Sequence, residues 1–198
     1  MDDNNKEFYK ALAEESVYPL TNHVLETLMD SVELINLRHN ETLIDYQSRS
    51  RDLYFVKSGC IGGSTLNSDG VEKTDGFGLT GSLIMSALSY SCGLPSAYRY
   101  FACGPTQVYR LRKSKVEEIL TNDLEFSRWL MGTFERMIIY LARRSTLRTG
   151  NAEQRYRELV RQRPDILNLV SDKQIASYLE ITAVHLSRIK HKILRSPN

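Results

Sequence analysis

Several features that would define a class of protein are scarce or missing in this chain of 198 residues. Its three cysteines, Cys60, Cys92 and Cys103, are odd in number and widely spaced, without a Cys-x-x-Cys pair. This pattern indicates neither a disulfide framework nor a zinc site. We expect the cysteines to be packing residues or unreactive thiols, and we expect no bound metal and no cofactor.

Long apolar runs are also missing. No run approaches the roughly 18 to 20 residues that cross a bilayer, and the first residues, 1–6, are too polar for a signal peptide. The content of 41% hydrophobic and 25% charged residues is that of an ordinary globular chain and not of a disordered one. These observations predict a cytoplasmic protein that does not interact with membranes.

A strong net charge is absent from the whole chain but present in its parts. The 26 basic and 24 acidic side chains give only +2. Residues 1–133, however, hold 13 basic and 18 acidic side chains, a net −5, whereas residues 134–198 hold 13 and 6, a net +7. A basic C-terminal third on a slightly acidic body is typical of a segment that binds nucleic acid phosphates.

Catalytic constellations are missing as well. No grouping of nucleophile, base and orienting residue, no metal-ligand spacing and no phosphate-binding loop rises above chance. We therefore do not expect an enzyme.

What the chain does contain is a helix-turn-helix pattern near its C-terminus. Ser171 and Thr182 stand at N-cap positions before two short periodic runs, and the turn is predicted at Glu180-Ile181. The inward faces are Ile175, Ala176 and Leu179 on the first helix and Leu186, Ile189 and Ile193 on the second. Such a pair can place its second helix in a DNA major groove, although a helical hairpin that only packs would show the same periodicity.

The second helix would then present a polar face to DNA. Arg188 can pair with guanine, His185 and Ser187 can donate to base edges, and Val184 can cover a thymine methyl group. The complete set of expected DNA-binding residues is Ser171, Lys173, Thr182, Val184, His185, Ser187, Arg188, His191 and Lys192.

The pattern upstream of this unit changes along the chain. Residues 5–31 have helical spacing broken by Pro19, and residues 32–111 read as short strands punctuated by glycine. This predicts an α+β protein with an antiparallel β-roll, or jelly roll, which usually encloses a pocket. We expect a sensor domain over 1–114, a long dimerisation helix region over 115–149 and a helix-turn-helix, winged-helix-like domain over 150–198, after a break at Thr149-Gly150-Asn151.

The long helix carries an apolar seam at Leu130, Phe134, Met137 and Leu141, with the spacing of a heptad. The seam could belong to a helix in the chain's own core or to a helix that pairs with a second copy. Because helix-turn-helix proteins commonly read two half-sites as a two-fold dimer, we expect these four residues to form a homodimer interface.

The order of these parts resembles the cyclic-AMP receptor (CRP/FNR) family of bacterial transcription regulators. The resemblance rests on the strand 53–59, the turn Asp69-Gly70, the helix end 142–144 and the two C-terminal helices, and it covers nearly the whole chain. It implies a cyclic-nucleotide-binding-like roll, a homodimer that binds double-stranded DNA, RNA polymerase as a partner and a small-molecule effector whose identity is open.

The chain departs from the family where cyclic nucleotides bind. The family's cassette has Gly-Glu and, about ten residues later, Arg-Ser or Arg-Thr. Here the matching segments, 78–83 and 94–97, contain neither the glutamate nor the arginine. A bound phosphate would lack its guanidinium partner, so we expect no tight binding of cyclic AMP. The residues expected at the effector site are Gly81, Ser82, Ser96, Ala97 and Arg99.

The sequence thus predicts a homodimeric, sequence-specific DNA-binding transcription regulator whose sensor does not bind cyclic AMP. The alternative is a ligand-binding or protein-interaction module with a helix-turn-helix that does not bind DNA.

Overall fold

The computed structural model describes residues 5–147 and 150–195. The elements in chain order are α1 (Lys6–Glu14), α2 (Asn22–Met29), β1 (Glu33–Leu37), β2 (Thr42–Ile44), β3 (Leu53–Ser58), β4 (Ile61–Leu66), β5 (Glu72–Gly78), β6 (Leu83–Ile84), α3 (Ala87–Cys92), β7 (Arg99–Ala102), β8 (Thr106–Leu111), α4 (Lys113–Asn122), α5 (Leu124–Leu147), α6 (Ala152–Gln162), α7 (Ile166–Leu169), α8 (Asp172–Tyr178) and α9 (Ala183–Arg195). Within the described residues, no helix is both long and apolar enough to cross a bilayer.

The strands form the expected roll. One sheet has the order β1-β8-β3-β6 and the other β2-β7-β4-β5, and every pairing is antiparallel. The core between them contains Leu37, Ile44, Tyr54, Val56, Ile61, Ile84, Ala102 and Val108. Because side chains alternate along a strand, the same strands also present apolar side chains to the outside of each sheet. Both outer faces are covered by helices.

Helices α1, α2, α4 and α5 pack on the outside of the first sheet. The sheet supplies Leu53, Phe55, Tyr109 and Leu111, and α5 supplies Phe126, Trp129 and Leu130, all of which are buried. The Trp129 ring lies 5.9 Å from that of Phe55, centroid to centroid. This contact sets the rotation of α5 about its own axis.

The structure corrects the expected role of the seam on α5. Leu130 is only 1% exposed and belongs to the chain's own core, so it has no surface to offer a partner. Phe134 and Met137 are half-buried against the same core, and only Leu141 is exposed, at 50%. Periodicity identifies an apolar stripe but cannot say which surface covers it. In this chain the β-roll covers most of the stripe.

The C-terminal helices α6 to α9 pack together and against the outside of the second sheet. The sheet contributes Cys60, Leu79, Phe101 and Cys103 to this core, with Phe77 at its margin. Helix α8 lies along the edge strand β5: the Thr74 backbone N–H donates to Ser177 Oγ over 3.0 Å, and the rings of Phe77 and Tyr178 are 5.4 Å apart. The C-terminal unit is therefore docked on the roll.

The helix starts in this unit follow the sequence prediction. Ser171 accepts from the Gln174 N–H while Gln174 accepts from the Ser171 N–H, a reciprocal capping box, and Asn151 and Gln154 repeat the arrangement at α6. Thr182 Oγ1 accepts from the His185 N–H at the start of α9, over 3.1 Å. The predicted break before α6 ends at Asn151 as expected, and Thr149 lies outside the described residues.

The turn between α8 and α9 contains Glu180 with a φ of 54°. This is the left-handed region, where a Cβ atom crowds the following carbonyl group and where glycine is the usual residue. The position lies in the turn that the sequence predicted at Glu180-Ile181. The chain therefore holds a strained residue in the middle of its helix-turn-helix.

Replacing Glu180 by glycine should relieve that strain. We expect Glu180→Gly to raise the free energy of unfolding by up to about 1 kcal/mol, because the relieved strain exceeds the entropy that glycine adds to the unfolded chain. Thermal unfolding should show a midpoint higher by roughly 2–4 °C. Glu180→Ala keeps the Cβ atom and should give no gain, so equal behaviour of the two variants would contradict the strain.

Candidate DNA-binding surface and effector pocket

Helix α9 has one buried face and one exposed face. Leu186 and Ile189 are 0% and 5% exposed and pack in the C-terminal core. The predicted DNA-facing side chains all lie on the opposite side and are exposed: Val184, His185, Ser187, Arg188, His191 and Lys192. The face of α9 that was predicted to contact DNA is therefore open to solvent from Val184 to Lys192.

Arg188 lies near the middle of this face, and its guanidinium group has no partner among the described residues. In the part of the chain that the structure describes, it makes no hydrogen bond and no ion pair. An arginine of this kind can donate two parallel hydrogen bonds to guanine O6 and N7 without first leaving a protein partner. Arg188 is thus the best-placed candidate for reading a base.

Lys192 differs from Arg188 because it already has a partner. Its Nζ atom lies 2.7 Å from Glu153 Oε2, which joins α9 to the start of α6. The ammonium group of Lys192, together with the Arg157 guanidinium, holds the pKa of the Glu153 carboxyl below its usual value. Because this pair is exposed, exchanging the carboxylate for a DNA phosphate should cost little. Lys192 therefore suits a phosphate contact.

The remaining predicted DNA contacts sit at helix starts. Lys173 is exposed on the first turn of α8, where its ammonium group can reach a phosphate. The Ser171 hydroxyl and the Thr182 hydroxyl are both exposed but are used in capping their own helices. For these two residues the local structure supplies a role in shaping the helix-turn-helix, which the sequence assigned to them as well.

Helix α5 presents a second exposed stripe, on the side away from the roll. Leu124, Met131 and Ile138 follow each other at intervals of seven residues and are 77%, 47% and 62% exposed. Ala142 continues the stripe one turn later and is exposed too. Three large apolar side chains in heptad register on a solvated helix face form an arrangement typical of a helix that pairs with another helix. This stripe, not the predicted seam, is the free apolar face of α5.

A cavity of about 700 Å³ lies between the roll, α5 and the C-terminal unit. Its apolar wall includes Leu83, Ile84 and Met85 of the roll and Met137 of α5, and Leu159 of α6 closes it from the other side. This is the volume range of pockets that hold a drug-sized organic ligand. A molecule bound there would touch both the roll and the first helix of the C-terminal unit.

The cavity takes in only part of the predicted effector site. Ser82 and Ala97 line it. Gly81 does not: its φ is 88°, and a Cβ atom there would come within 2.7 Å of the Ala11 backbone. Ser96 is buried and its hydroxyl donates to the Tyr98 carbonyl oxygen over 2.8 Å. Gly81 and Ser96 therefore do not line the cavity.

Arg99 is also corrected as an effector contact. Its guanidinium group lies over the Phe101 ring, 4.9 Å from the centroid, and donates to Glu72 over 3.3 Å and to Thr42 over 3.1 Å. Burial opposes ionisation of Glu72, but hydrogen bonds from Ser64, Arg99 and Tyr46 outweigh it and lower the pKa of the carboxyl group. Arg99 is thus held in an ion pair on the second sheet, outside the cavity.

Four other arginines line the cavity, and the sequence analysis did not identify them. Arg155 donates to the carbonyl oxygens of Gly150 and Leu179, each over 2.7 Å. Arg161 pairs with Glu158, whose pKa it lowers to about 2, and Arg163 pairs with Glu15, which directly follows α1. Arg136 of α5 has no hydrogen bond or ion pair within the described chain. Since three of the four come from the C-terminal unit, only the docked arrangement of the domains could have revealed them.

No protein-family model and no curated protein sequence matches the chain. Solved structures do match it. FixK2 from Bradyrhizobium japonicum superposes with a TM-score of 0.69 at 18% identity, over 83% of this chain and 85% of its own. A protein from Silicibacter pomeroyi DSS-3, described as a cAMP-binding regulatory protein, superposes with a TM-score of 0.68 at 21% identity. The match covers 96% of this chain and 88% of that protein. The catabolite activator protein of Thermus thermophilus superposes with a TM-score of 0.54 at 15% identity, over 89% of this chain and 84% of its own.

These matches extend over the roll, the long helix and the helix-turn-helix, and not over a single shared domain. The sequence identities are low, so the likeness concerns the arrangement of the chain in space. The chain therefore has the fold of the cyclic-AMP receptor (CRP/FNR) regulators.

Proposed function

We propose that this protein is a sequence-specific DNA-binding transcription regulator that acts as a homodimer. The observation that carries the proposal is the open face of α9, with the uncommitted guanidinium group of Arg188 at its centre. The net +7 of residues 134–198 supports it, because basic groups near this face attract the phosphate backbone. A regulator of this kind would also contact RNA polymerase.

The structure supports a division of labour on α9. Arg188 has the geometry and freedom to read guanine, while Val184, 63% exposed, offers an apolar surface to a thymine methyl group. Lys192 and Lys173 lie at positions that suit phosphate contacts. Base readers and phosphate binders differ in their response to sequence and to salt, so the two roles can be separated by experiment.

The homodimer is proposed to form along Leu124, Met131 and Ile138. Pairing of two α5 helices along this stripe would bury three large apolar side chains on each copy that are otherwise exposed. It would also place two copies of α9 in one particle, as needed for reading two half-sites.

The cavity is proposed to hold a small-molecule effector other than a cyclic nucleotide. Its walls are largely apolar, and Arg136 supplies a cation that no described residue neutralises. A ligand with an apolar body and one acidic group would satisfy both features. Because Leu159 of α6 also lines the cavity, a ligand bound there would contact the C-terminal unit and could change its position.

DNA recognition should depend on Arg188 in a sequence-specific manner. Arg188→Ala should cost about 1–3 kcal/mol on the specific site, measured by fluorescence anisotropy, and far less on random duplex, because a base contact is lost. Arg51→Ala, which removes an exposed arginine of the roll, is the matched control and should bind normally. Equal losses on both DNAs would show that Arg188 touches only phosphate.

Lys192 should behave in the opposite way. Lys192→Ala should weaken binding to specific and random DNA alike and should reduce the slope of log affinity against log salt by about one. Titrations at three or more salt concentrations measure that slope. A loss confined to the specific sequence would instead make Lys192 a base reader.

The dimer should depend on Ile138. Ile138→Asp places a charge in the exposed stripe and should give monomers by multi-angle light scattering, because burying an unpaired carboxylate in an interface costs several kcal/mol. Leu167→Asp changes a leucine of α7 that is 40% exposed and should leave the dimer intact. A wild-type protein that is monomeric at micromolar concentration would contradict the proposed interface.

The sensor should not respond to cyclic nucleotides. Calorimetry with cyclic AMP or cyclic GMP should show no binding tighter than roughly millimolar, which corresponds to about 4 kcal/mol. The physical reason is that residues 78–97 contain neither an acidic nor a basic side chain, and that Arg99 is turned to Glu72. Saturable micromolar binding that Arg136→Ala abolishes would overturn this view and make Arg136 the phosphate ligand.

A further inference from the structure

Two of the three cysteines lie side by side at the edge of the second sheet, Cys60 directly before β4 and Cys103 directly after β7. The pairing of Ile61 with Ala102 places Cys60 opposite Cys103, and the Cys103 N–H donates to the Cys60 carbonyl oxygen over 2.9 Å. Opposite residues of antiparallel strands have Cα atoms about 4.5–5.5 Å apart, within the roughly 4.4–6.8 Å that a disulfide spans.

The C-terminal unit covers this pair of thiols. Cys60 and Cys103 are 1% and 5% exposed, and both belong to the core shared by the sheet and the C-terminal helices. Gln174 of α8 directs its Nε2 atom at Cys103 Sγ over 3.8 Å. The neighbouring Cys103 thiol, and after it burial, raises the pKa of the Cys60 thiol far above its ordinary value. A thiol that cannot ionise is a poor nucleophile.

The cover is held by the apolar core that the sheet and the C-terminal helices share and by contacts along the edge of the sheet. Along the edge of the sheet these are the Thr74–Ser177 hydrogen bond, the Phe77–Tyr178 ring contact and the Gln174 contact with Cys103. The roll and the C-terminal helices each have further apolar contacts of their own. Interfaces of this kind between parts of one chain separate in local opening motions more readily than a domain core unfolds.

We propose that Cys60 and Cys103 form a reversible intrachain disulfide, and that the docked helix α8 shields them from oxidation. When α8 leaves the sheet, water reaches the pair and one thiol can ionise. With hydrogen peroxide as the oxidant, that thiolate attacks one peroxide oxygen and gives a sulfenic acid and water. The second thiol attacks the sulfenic sulfur, the S–S bond forms and a second water leaves, so two thiols and one peroxide yield one disulfide and two waters.

Cys92 has no comparable partner. It lies at the end of α3, is exposed and has neither of the other cysteines beside it on its own helix. Since its thiol is open to oxidants at all times, it would obscure the reaction of the pair. The experiment therefore starts from a Cys92→Ser background of the full chain.

The test follows oxidation by intact-mass and peptide mass spectrometry after addition of hydrogen peroxide. We expect loss of two hydrogen atoms, a peptide crosslinked through Cys60 and Cys103, and full reversal by dithiothreitol. Tyr178→Ala and, from the other side of the same contact, Phe77→Ala should each speed the reaction by about tenfold, because they weaken the cover. Tyr98→Ala removes a half-exposed tyrosine that lies off this contact and should react at the wild-type rate.

Circular dichroism of each variant first establishes that the helices and strands remain formed. Because Tyr178→Ala and Phe77→Ala weaken the same contact, the test can still be made if one of them misfolds. Cys60→Ser should abolish the crosslink and leave Cys103 as a single oxidised thiol. Oxidation that stops at sulfinic acid without a crosslink would overturn the proposal. So would equal rates in the wild type, Tyr178→Ala and Phe77→Ala, since the cover would then have no effect. Neither readout involves DNA, so the result is independent of the proposed function.

Discussion

The packing of α5 on the first sheet is the contact on which the other features of the molecule depend. Trp129 is 1% exposed and lies against Phe55 of the sheet and Phe126 of its own helix. Truncating a buried aromatic residue of this kind typically costs roughly 3–5 kcal/mol, so the helix is firmly held. Because α5 is one continuous helix, fixing its rotation at Trp129 also fixes the direction of the other described side chains along it.

The two surfaces of α5 to which we assign functions follow from that single rotation. Thr133, Arg136 and Met137 face the cavity and form part of its wall. Met131 and Ile138 point away from the roll and remain exposed for a second copy of the chain. A helix with an effector on one side and a dimer partner on the other would transmit a change at one surface to the other by a small rotation or shift. The C-terminal unit, docked on the roll next to the same cavity, would sense that change.

The sequence predicts features that depend on residues close together in the chain better than features that depend on contacts between distant segments. The helix-turn-helix was predicted correctly because its signals are local: Ser171 and Thr182 cap helices whose apolar residues have the right period. The roll was predicted from alternating strands and glycine turns. Leu130 was assigned to the wrong surface because the spacing of apolar residues along a helix does not show what packs against them. Arg99 turned outward because Glu72, distant in sequence, pairs with it.

The cavity and the thiol pair were least accessible to sequence reasoning. Leu159 and Arg163 reach the cavity only because the C-terminal unit docks on the roll, which no local pattern encodes. Cys60 and Cys103 become neighbours only through the register of β4 and β7, more than 40 residues apart in the chain. Wide cysteine spacing looked uninformative for that reason. Sites assembled from distant segments require the fold before their chemistry can be recognised.

The most direct test of the central claim is selection of genomic DNA fragments by the purified wild-type protein. If the chain is a homodimeric regulator that reads DNA with α9, the enriched fragments should share an inverted repeat whose half-sites have centres about 10–10.5 base pairs, or a multiple of that, apart. Fragments enriched without any common repeat, or no enrichment above random DNA at physiological salt, would contradict the claim.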